Sequence, residues 1–282
     1  MTKIYLFPGQ GSQALGMGKD LFDAYPNEVA VADKVLGYSI KELCLEDKAQ
    51  KLNSTDYTQP ALYVVNALTY LKKVTENGKP QFVAGHSLGE YNALFAAGVF
   101  DFETGLKLTQ KRGAIMAKAM GGGMAAIVGL EVSKIESVLK ENNLTSIDIA
   151  NFNAPTQTVI SGPKEDIEKA KPIFEAAGAR MVVVLKVSGV FHSRYMKEAQ
   201  NEFETFLNTQ KLSAPQIPVI ANLNAQPYTN DETTIKKTLA GQISSGVRWV
   251  ETIQLLNKQP EPVFEEVGPG KVLAGMLKQI LK

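Results

Sequence analysis

Short apolar runs alternate with stretches of helical periodicity along the first 120 residues of the chain. Short β-prone segments lie at 3–7, where a glycine-rich turn comes next, and at 81–84. The stretches 60–74, 88–100 and 102–120 instead repeat apolar positions every three or four residues, which predicts helices. Strands that alternate with helices in this way predict a parallel sheet that helices cover on both faces.

The pattern changes after three consecutive glycines at 121–123, which are the clearest boundary signal in the chain. The predicted elements that follow have the order β-α-β-β-α-β, the split βαβ arrangement of ferredoxin-like domains. They are a strand at 124–130, a helix at 133–141, strands at 147–151 and 156–161, a helix at 164–177 and a strand at 180–187.

We therefore expect an inserted small domain at 124–189 and a large α/β domain formed by 1–123 together with 190–282. The large domain is predicted to end with a strand at 262–267 and a helix at 271–281, which a Gly-Pro-Gly turn separates. This division gives one large unit and one small unit, as expected for a chain of this length.

Composition and charge exclude several classes of protein. The 282 residues are 44% hydrophobic and 21% charged, as in a globular protein and unlike a disordered or fibrous one. Thirty Lys and Arg residues balance 29 Asp and Glu residues, so the chain lacks the basic surplus that nucleic-acid binding needs. One cysteine and two histidines leave no basis for a disulfide framework or a metal site.

Neither targeting nor membrane insertion is indicated by the sequence. The first apolar run is too short for a secretory signal, because Pro8 and Gly9 end it. No stretch approaches the roughly 20 apolar residues that a membrane-spanning helix requires. We therefore expect a cytoplasmic protein that does not bind membranes.

The sequence Gly85-His86-Ser87-Leu88-Gly89 fits the Gly-x-Ser-x-Gly pattern of a nucleophile elbow. A short apolar run precedes it and a helix-forming segment follows, as an elbow requires. On such a tight turn the serine hydroxyl is exposed, and the free N–H groups of the helix start can stabilise an oxyanion. Ser87 is predicted to be a nucleophile; the alternative is a serine that only caps the helix.

A serine nucleophile needs a base, and only two histidines are available. His86 lies inside the elbow and is interpreted as a packing or hydrogen-bonding residue, so His192 is the remaining candidate. The order, serine before histidine, is that of α/β-hydrolases. Two groups could orient this histidine: a backbone carbonyl or a carboxylate. The carboxylates considered are Asp101, Glu103, Asp148 and Asp166.

A glycine-rich loop, GQGSQA at 9–14, follows the first predicted strand. It fits one form of the dinucleotide-binding fingerprint, which also needs an acidic residue about 20 positions later at the end of a second strand. Asp33 lies near that distance, but its surroundings look helical, which argues against a Rossmann site. The competing interpretation is a loop that brings the Gln10 amide or backbone beside the Ser87 oxyanion.

Arg112 interrupts the apolar stripe of the helix predicted at 102–120. It lies four residues after Leu108 and four before Met116, whereas the lysines of this helix fall on its other faces. A buried guanidinium is costly unless an anion accompanies it. Two partners are considered: a distant Asp or Glu, or a substrate carboxylate that the planar guanidinium grips through two hydrogen bonds.

Together these motifs resemble the malonyl-CoA:acyl carrier protein transacylase family, and the resemblance runs nearly from end to end. Several matches in the order of the family are far more specific than any single one. The matching segments are 7–13 (FPGQGSQ), 58–61 (TQPA), 85–91 (GHSLGEY), 111–113 (KRG), 151–155 (NFNAP), 159–162 (VISG), 191–193 (FHS) and 266–271 (EVGPGK).

The resemblance implies a hydrolase-like α/β large domain with a parallel sheet and an inserted ferredoxin-like small domain. It also implies that Ser87 is acylated and that His192 is its base. Gln10 and the backbone amide of Leu88 would form the oxyanion hole, and Arg112 would hold the malonyl carboxylate. No cofactor is implied, because malonyl-CoA is a substrate.

Further residues enter through the same resemblance. In this family backbone carbonyl groups orient the histidine; Gln242 is the expected source of one, and Asn153, also placed near the substrate, is a candidate for a second. The Phe191 ring, in a Val-Phe-His sequence like that of malonyl-selective polyketide acyltransferases, would occupy the space of an α-methyl group. Ser245-Gly246 replaces the Asn-Pro that bacterial fatty-acid enzymes often have.

Because the chain begins and ends with the domain itself, we expect a free-standing acyltransferase that serves a polyketide synthase in trans. Its expected partners are malonyl-CoA and the phosphopantetheine arm of an acyl carrier protein, and we expect a monomer. The alternatives are a transacylase of fatty-acid synthesis, a serine hydrolase that delivers the acyl group to water, and a nucleotide-binding or scaffold protein that uses the loop at 9–14.

Overall fold

The computed structural model of the protein describes residues 1–119, 121–187 and 189–282. In these ranges the chain forms two four-stranded sheets with helices around them. In chain order the elements are β1 (Thr2–Phe7), α1 (Lys19–Phe22), α2 (Pro26–Leu36), α3 (Ile40–Leu45), α4 (Thr55–Asn77), β2 (Phe82–Gly85), α5 (Gly89–Ala96), α6 (Phe102–Ala117), β3 (Gly122–Val128), α7 (Val132–Glu141), β4 (Asp148–Ala154), β5 (Gln157–Pro163), α8 (Lys164–Ala176), β6 (Met181–Val184), α9 (Lys197–Asn208), β7 (Val219–Ile220), α10 (Glu232–Gly241), α11 (Trp249–Leu256), β8 (Pro262–Glu266) and α12 (Val272–Ile280).

The first sheet has the strand order β7-β2-β1-β8, and all its strands are parallel. β1 is central because its apolar residues suit a strand that is covered on both faces. Tyr5 and Phe7 pack with the core that contains α4 and α5, whereas Ile4 and Leu6 pack with α11 and α12 on the opposite face. The carboxyl ends of these strands meet at one edge, where open α/β sheets bind their ligands.

The second sheet is antiparallel, with the order β4-β5-β3-β6. Its elements follow one another as β3-α7-β4-β5-α8-β6, the βαββαβ order that the sequence predicts. One face packs on α7 and α8 through a separate small core that includes Ile127, Ile135, Ile160 and Phe174. Val159, on the other face, belongs to the core of the first sheet. We propose that this unit is the inserted domain of 124–189, although β3 already begins at Gly122.

Backbone hydrogen bonds join the second sheet to the segment that precedes α11. Asn151 of β4 forms a parallel bridge with Val247. The Val247 N–H donates to the Ala150 carbonyl at 2.9 Å, and the Phe152 N–H donates to the Val247 carbonyl at 3.0 Å. The Arg248 N–H donates at 3.0 Å to the carbonyl of Asn222, which lies two residues after β7, so the segment also contacts the first sheet.

Two predicted helices extend less far than expected. The helix predicted at 88–100 ends at Ala96, because the chain turns at the glycine that follows two residues later. The helix predicted at 102–120 ends at Ala117, and Met120 lies outside the described residues. In the described part of the chain, no helix has the length and apolar character needed to cross a membrane.

The glycine-rich loop at 9–14 does not open a helix. After β1 the chain turns, and the next helix, α1, begins only at Lys19. A dinucleotide fingerprint needs a helix that starts within the glycine motif and points its N-terminus at the pyrophosphate. Asp33 lies inside α2 and accepts a hydrogen bond from the Ile40 N–H at 2.7 Å, so it does not end a strand. The Rossmann interpretation is therefore wrong.

Candidate active site

Ser87 lies on a tight turn between β2 and α5, at the carboxyl edge of the parallel sheet. Its φ of 51° places the residue in the left-handed region, which the side chains of L-amino acids rarely adopt. The turn closes only because its neighbours are glycines. A Cβ on Gly85 would lie 1.9 Å from the Gly89 carbonyl carbon, and one on Gly89 would lie 2.0 Å from the Phe7 carbonyl oxygen. The sequence thus builds a strained elbow that presents the serine hydroxyl to a cleft.

His192 reaches the serine from a distant part of the chain. Its Nε2 lies 2.7 Å from Ser87 Oγ, and its Nδ1 lies 2.9 Å from the backbone carbonyl oxygen of Gln242. Because a carbonyl can only accept, Nδ1 carries the proton and the lone pair of Nε2 faces the hydroxyl. This is the geometry of a general base bonded to its nucleophile.

The four carboxylates considered as partners of the histidine are bound elsewhere in the structure. Asp101 caps α6 by accepting from the Thr104 N–H, and Glu103 pairs with a lysine one helical turn later. Asp148 pairs with Arg194, and Asp166 accepts from Ser146. In the described structure the His192 ring is therefore oriented by a backbone carbonyl, and none of these four acids contacts it.

Burial makes His192 a neutral base. Its side chain is 4% exposed, and desolvation together with the nearby Arg112 charge lowers its pKa to about 3. Hydrogen bonds to the backbone carbonyls of Gln242 and Ser245 oppose this shift but do not outweigh it. The imidazole is therefore unprotonated at neutral pH, which is the form that can accept the serine proton.

This low pKa predicts the pH dependence of serine acylation. A histidine of ordinary pKa, about 6.5, would lose half of its base form at that pH. His192 keeps its base form down to a pKa of about 3. We therefore expect the rate constant for Ser87 acylation, measured by rapid quench and intact mass, to stay level from about pH 7.5 down to about pH 5. An acid limb centred near 6.5 would contradict this expectation.

Two backbone amides near the serine are free to bind an oxyanion. Within the described ranges, the N–H groups of Gln10 and Leu88 have no hydrogen-bond acceptor in the protein. Gln10 lines the cleft together with Ser87, and the preceding Gly9 is pressed against the elbow, where a Cβ would lie 2.3 Å from the His86 carbonyl oxygen. The Gln10 side-chain amide donates to Thr55 Oγ1 at 3.3 Å. The backbone of the glycine-rich loop thus lies beside the nucleophile.

Arg112 projects from α6 into the same cleft and is 1% exposed. One guanidinium nitrogen donates to Gln59 Oε1 at 2.8 Å, and another donates to Ser87 Oγ at 3.1 Å and to Gln242 Oε1 at 2.9 Å. The Tyr91 ring lies 5.4 Å from the guanidinium carbon. Among the described residues no carboxylate forms an ion pair with Arg112, so the structural ion pair considered from the sequence is not formed there. The site offers an anionic ligand a buried cation.

The structure places the remaining predicted residues around this centre. Phe191 is 7% exposed and lines the cleft beside the two methionines Met116 and Met124. Asn153 Oδ1 accepts a hydrogen bond from His86 Nε2 at 2.8 Å, and in the described structure Asn153 forms no hydrogen bond with His192. The second carbonyl against His192 belongs to Ser245 instead. His86 also packs edge-on against Trp249, with 5.4 Å between ring centroids.

Several residues of the site were not expected from the sequence. Asn222 follows β7 and clamps the elbow: its Oδ1 accepts from the Ser87 N–H at 2.7 Å, and its Nδ2 donates to the Gly85 carbonyl at 2.7 Å. Glu90, in the first turn of α5, is fully buried and bonds Gln242. Asn222 could have been found from its place just after a short apolar run. Parallel strands bring their carboxyl ends to one edge of the sheet, so a polar residue that follows such a strand lies near the site.

A serine hydrogen-bonded to a neutral histidine, free backbone amides and a buried cation lie together at the carboxyl edge of a parallel sheet, and this is the set of groups that enzymes with acyl-serine intermediates use. The whole chain agrees with this class. Residues 4–282 match the acyl transferase domain, and the chain belongs to this family of acyltransferases. The family resemblance and the fold class inferred from the sequence are confirmed.

Comparison with known proteins gives close relatives. Polyketide biosynthesis malonyl CoA-acyl carrier protein transacylase PksC of Bacillus subtilis (strain 168) is 56% identical over 280 residues, 99% of this chain and 96% of that protein. The crystal structure of malonyl CoA-acyl carrier protein transacylase from Burkholderia pseudomallei is 48% identical, with a TM-score of 0.96 and coverage of 100% and 98%. A structure of a type II PKS acyl-carrier protein in complex with its malonyl-transacylase matches at 37% identity, with a TM-score of 0.94 and coverage of 100% and 93%.

Proposed function

We propose that this enzyme moves a malonyl group from malonyl-CoA to the phosphopantetheine thiol of an acyl carrier protein, and that it does so for polyketide synthesis. Action in trans, on carrier proteins of separate chains, is part of this proposal. The observation that carries it is the cleft in which Ser87 Oγ contacts both His192 and Arg112. A nucleophile and a buried cation so close together suit an acyl group that ends in a carboxylate.

In the acylation half-reaction, Ser87 Oγ attacks the thioester carbonyl carbon while His192 Nε2 takes the hydroxyl proton. The carbonyl oxygen becomes an oxyanion beside the free N–H groups of Gln10 and Leu88. The carbon–sulfur bond then breaks, and the coenzyme A sulfur leaves with the proton from the imidazolium. Arg112 would hold the far carboxylate of the malonyl group throughout.

The second half-reaction reverses these steps with a new thiol. His192 accepts the proton of the phosphopantetheine thiol, whose sulfur attacks the acyl-serine carbonyl carbon. The carbon–oxygen bond to Ser87 breaks, and the serine oxygen recovers the proton. The histidine serves as base and acid in each half: the neutral imidazole of the free enzyme accepts a proton first, and the imidazolium so formed returns it. No group other than the two substrates is needed to balance the reaction.

The relatives support the substrate and pathway in this proposal. Two of them are named malonyl CoA-acyl carrier protein transacylases, and the one from Bacillus subtilis, 56% identical to this chain, is named for polyketide biosynthesis. The complex of a malonyl-transacylase with its acyl-carrier protein supports a carrier protein as the acceptor. Of the residues that the mechanism uses, Ser87, His192, Arg112 and Gln10 all line this cleft.

Intact-mass spectrometry with the purified protein tests the proposal. Mixing with malonyl-CoA should add one malonyl group to the protein, and a phosphopantetheinylated carrier protein should then remove it while gaining the same mass. Methylmalonyl-CoA and acetyl-CoA serve as comparison substrates. If the malonyl adduct is lost to water at the same rate with and without the carrier protein, the enzyme is a serine hydrolase. If no adduct forms at all, covalent catalysis is rejected.

Replacing Arg112 with alanine should impair malonyl transfer far more than acetyl transfer. Loss of a two-point hydrogen bond between a guanidinium and a carboxylate predicts a decrease of roughly 10²-fold in kcat/KM for malonyl-CoA. Acetyl transfer should fall less, by the contribution of the 3.1 Å bond from Arg112 to Ser87 Oγ. Lys111→Ala is the matched control, because this neighbour on the same helix is paired with Glu202 at the surface. Equal losses on both substrates would contradict a role in carboxylate recognition.

A further inference from the structure

Glu90 is a buried acid next to the catalytic centre that the proposed mechanism does not use. It is the second residue of α5, three residues after Ser87, and is fully buried. Its Oε1 accepts a hydrogen bond from the Tyr228 hydroxyl. Its Oε2 accepts from the Asn222 N–H at 3.2 Å and from Gln242 Nε2 at 2.7 Å. Each carboxylate oxygen therefore has a partner, as a buried acid requires.

Gln242 contacts almost every group of the catalytic centre. Its Nε2 donates one hydrogen to Glu90 and the other to the Ser87 carbonyl oxygen at 2.8 Å. Its Oε1 accepts from Arg112 at 2.9 Å. Its backbone carbonyl accepts from His192 Nδ1 at 2.9 Å. A single residue thus touches the arginine, the histidine and the nucleophile turn.

The two ends of the Gln242 amide are chemically different, and Glu90 decides which end faces Arg112. With Nε2 between two acceptors, both amide hydrogens are used. A flipped amide would place Oε1 against the Glu90 carboxylate and the Ser87 carbonyl, and NH₂ against the guanidinium. Each of these contacts would join two acceptors or two donors at hydrogen-bond distance, which is strongly unfavourable in a buried site.

We propose that Glu90 is a positioning residue: it fixes the orientation of the Gln242 amide, and through that amide it holds the Arg112 guanidinium where a substrate carboxylate can be gripped. This inference rests on the proposed malonyl transfer. The acceptor that Gln242 offers to Arg112 is the neutral oxygen Oε1. Because no carboxylate pairs with Arg112 in the described structure, its positive charge stays available to the ligand. A carboxylate in direct contact with Arg112 would compete with the substrate for the same guanidinium.

The arrangement does not depend on whether Glu90 is ionised. Burial raises the pKa of Glu90 to about 7. The hydrogen bonds from Tyr228 and Gln242 lower the pKa but do not cancel this effect. When protonated at Oε1, the acid donates to the Tyr228 oxygen, and Oε2 still accepts from Gln242. A glutamine at position 90 can reproduce this neutral form, with its amide NH₂ towards Tyr228 and its carbonyl towards Gln242.

Four variants test the proposal, with the malonyl-to-acetyl ratio of Ser87 acylation rates as the readout. Glu90→Ala and Gln242→Met should each lower this ratio about tenfold, since one charged hydrogen bond is lost. Glu90→Gln should restore the ratio to within about threefold of wild type. Tyr228→Phe is the control, because it removes a bond to the same carboxylate on the side away from Gln242.

The outcomes separate this inference from the proposed function. If wild-type protein forms no adduct with either coenzyme A ester, the proposed function fails. If wild type is acylated but the ratio stays unchanged in Gln242→Met, the positioning role is rejected, whatever the absolute rates. Gln242→Met keeps the backbone carbonyl that His192 needs, so it carries the test even where Glu90→Ala does not fold. A Glu90→Gln variant as impaired as Glu90→Ala would also reject the proposal.

Discussion

Replacing Ser87 with alanine will abolish the malonyl adduct and lower carrier-protein malonylation by about 10⁴-fold or more, the loss typical of removing a nucleophile. The change deletes the only atom that attacks the thioester, Oγ, which His192 Nε2 contacts at 2.7 Å. The fold should persist, because alanine keeps the Cβ that already occupies this left-handed position and keeps the N–H that Asn222 binds. Intact mass and a carrier-malonylation assay measure the two effects.

Ser161→Ala is the matched control for this variant. Ser161 is fully buried in β5, and in the described structure its hydroxyl has no hydrogen-bond partner, so its loss should leave acylation unchanged. A malonyl adduct that persists at full yield in Ser87→Ala would place the nucleophile elsewhere. The proposed function would then fail in its central step.

Replacing His192 with alanine will lower the acylation rate constant by about 10³–10⁴-fold, at the upper end of general-base effects. The effect should be large because Ser87 Oγ contacts one imidazole, and the described residues that line the cleft include no carboxylate to replace it. Residual activity should remain from the backbone amides near Ser87 and from substrate binding, which a missing base does not remove. Rapid-quench measurement of the acyl-enzyme gives this rate directly.

The second histidine provides the comparison. His86 lines the cleft, but its hydrogen bond goes to Asn153 and its ring packs on Trp249, so it does not contact Ser87 Oγ. His86→Ala should therefore cost less than about tenfold, the effect of altered packing rather than of a lost base. Similar losses in the two histidine variants would contradict the assignment of His192 as the base.

Local patterns were sufficient to predict most of the fold. The strands β1 and β2 were visible as short apolar runs because a parallel strand is buried on both faces. The small unit was visible because its helices and strands are regular and its boundary is marked by glycines. The start of α4 was missed: Pro60 looked like a helix start, but five residues before it already belong to the helix. β7 has two residues, too few for any periodicity.

The candidate site divides in the same way. The tight turn at Ser87 was predictable from the glycines around it, and the burial of Arg112 from its place on an apolar helix stripe. His192 was predictable because the chain contains so few imidazoles. The contacts of Glu90 and Asn222 were not, because they join residues more than 130 positions apart and depend on how the sheets pack. Such residues look like ordinary polar positions until the chain is folded.

The residues proposed as nucleophile and base, Ser87 and His192, occupy backbone conformations that oppose the folded state. Ser87 and His192 both have positive φ, at 51° and 57°, and a side chain there costs on the order of 1–3 kcal/mol at each position. Glycine would relieve that cost and remove the chemistry. Selection for thermal stability alone would thus favour glycine at these two positions and give an inactive protein. A thermostable variant that keeps its activity has to gain stability at other positions.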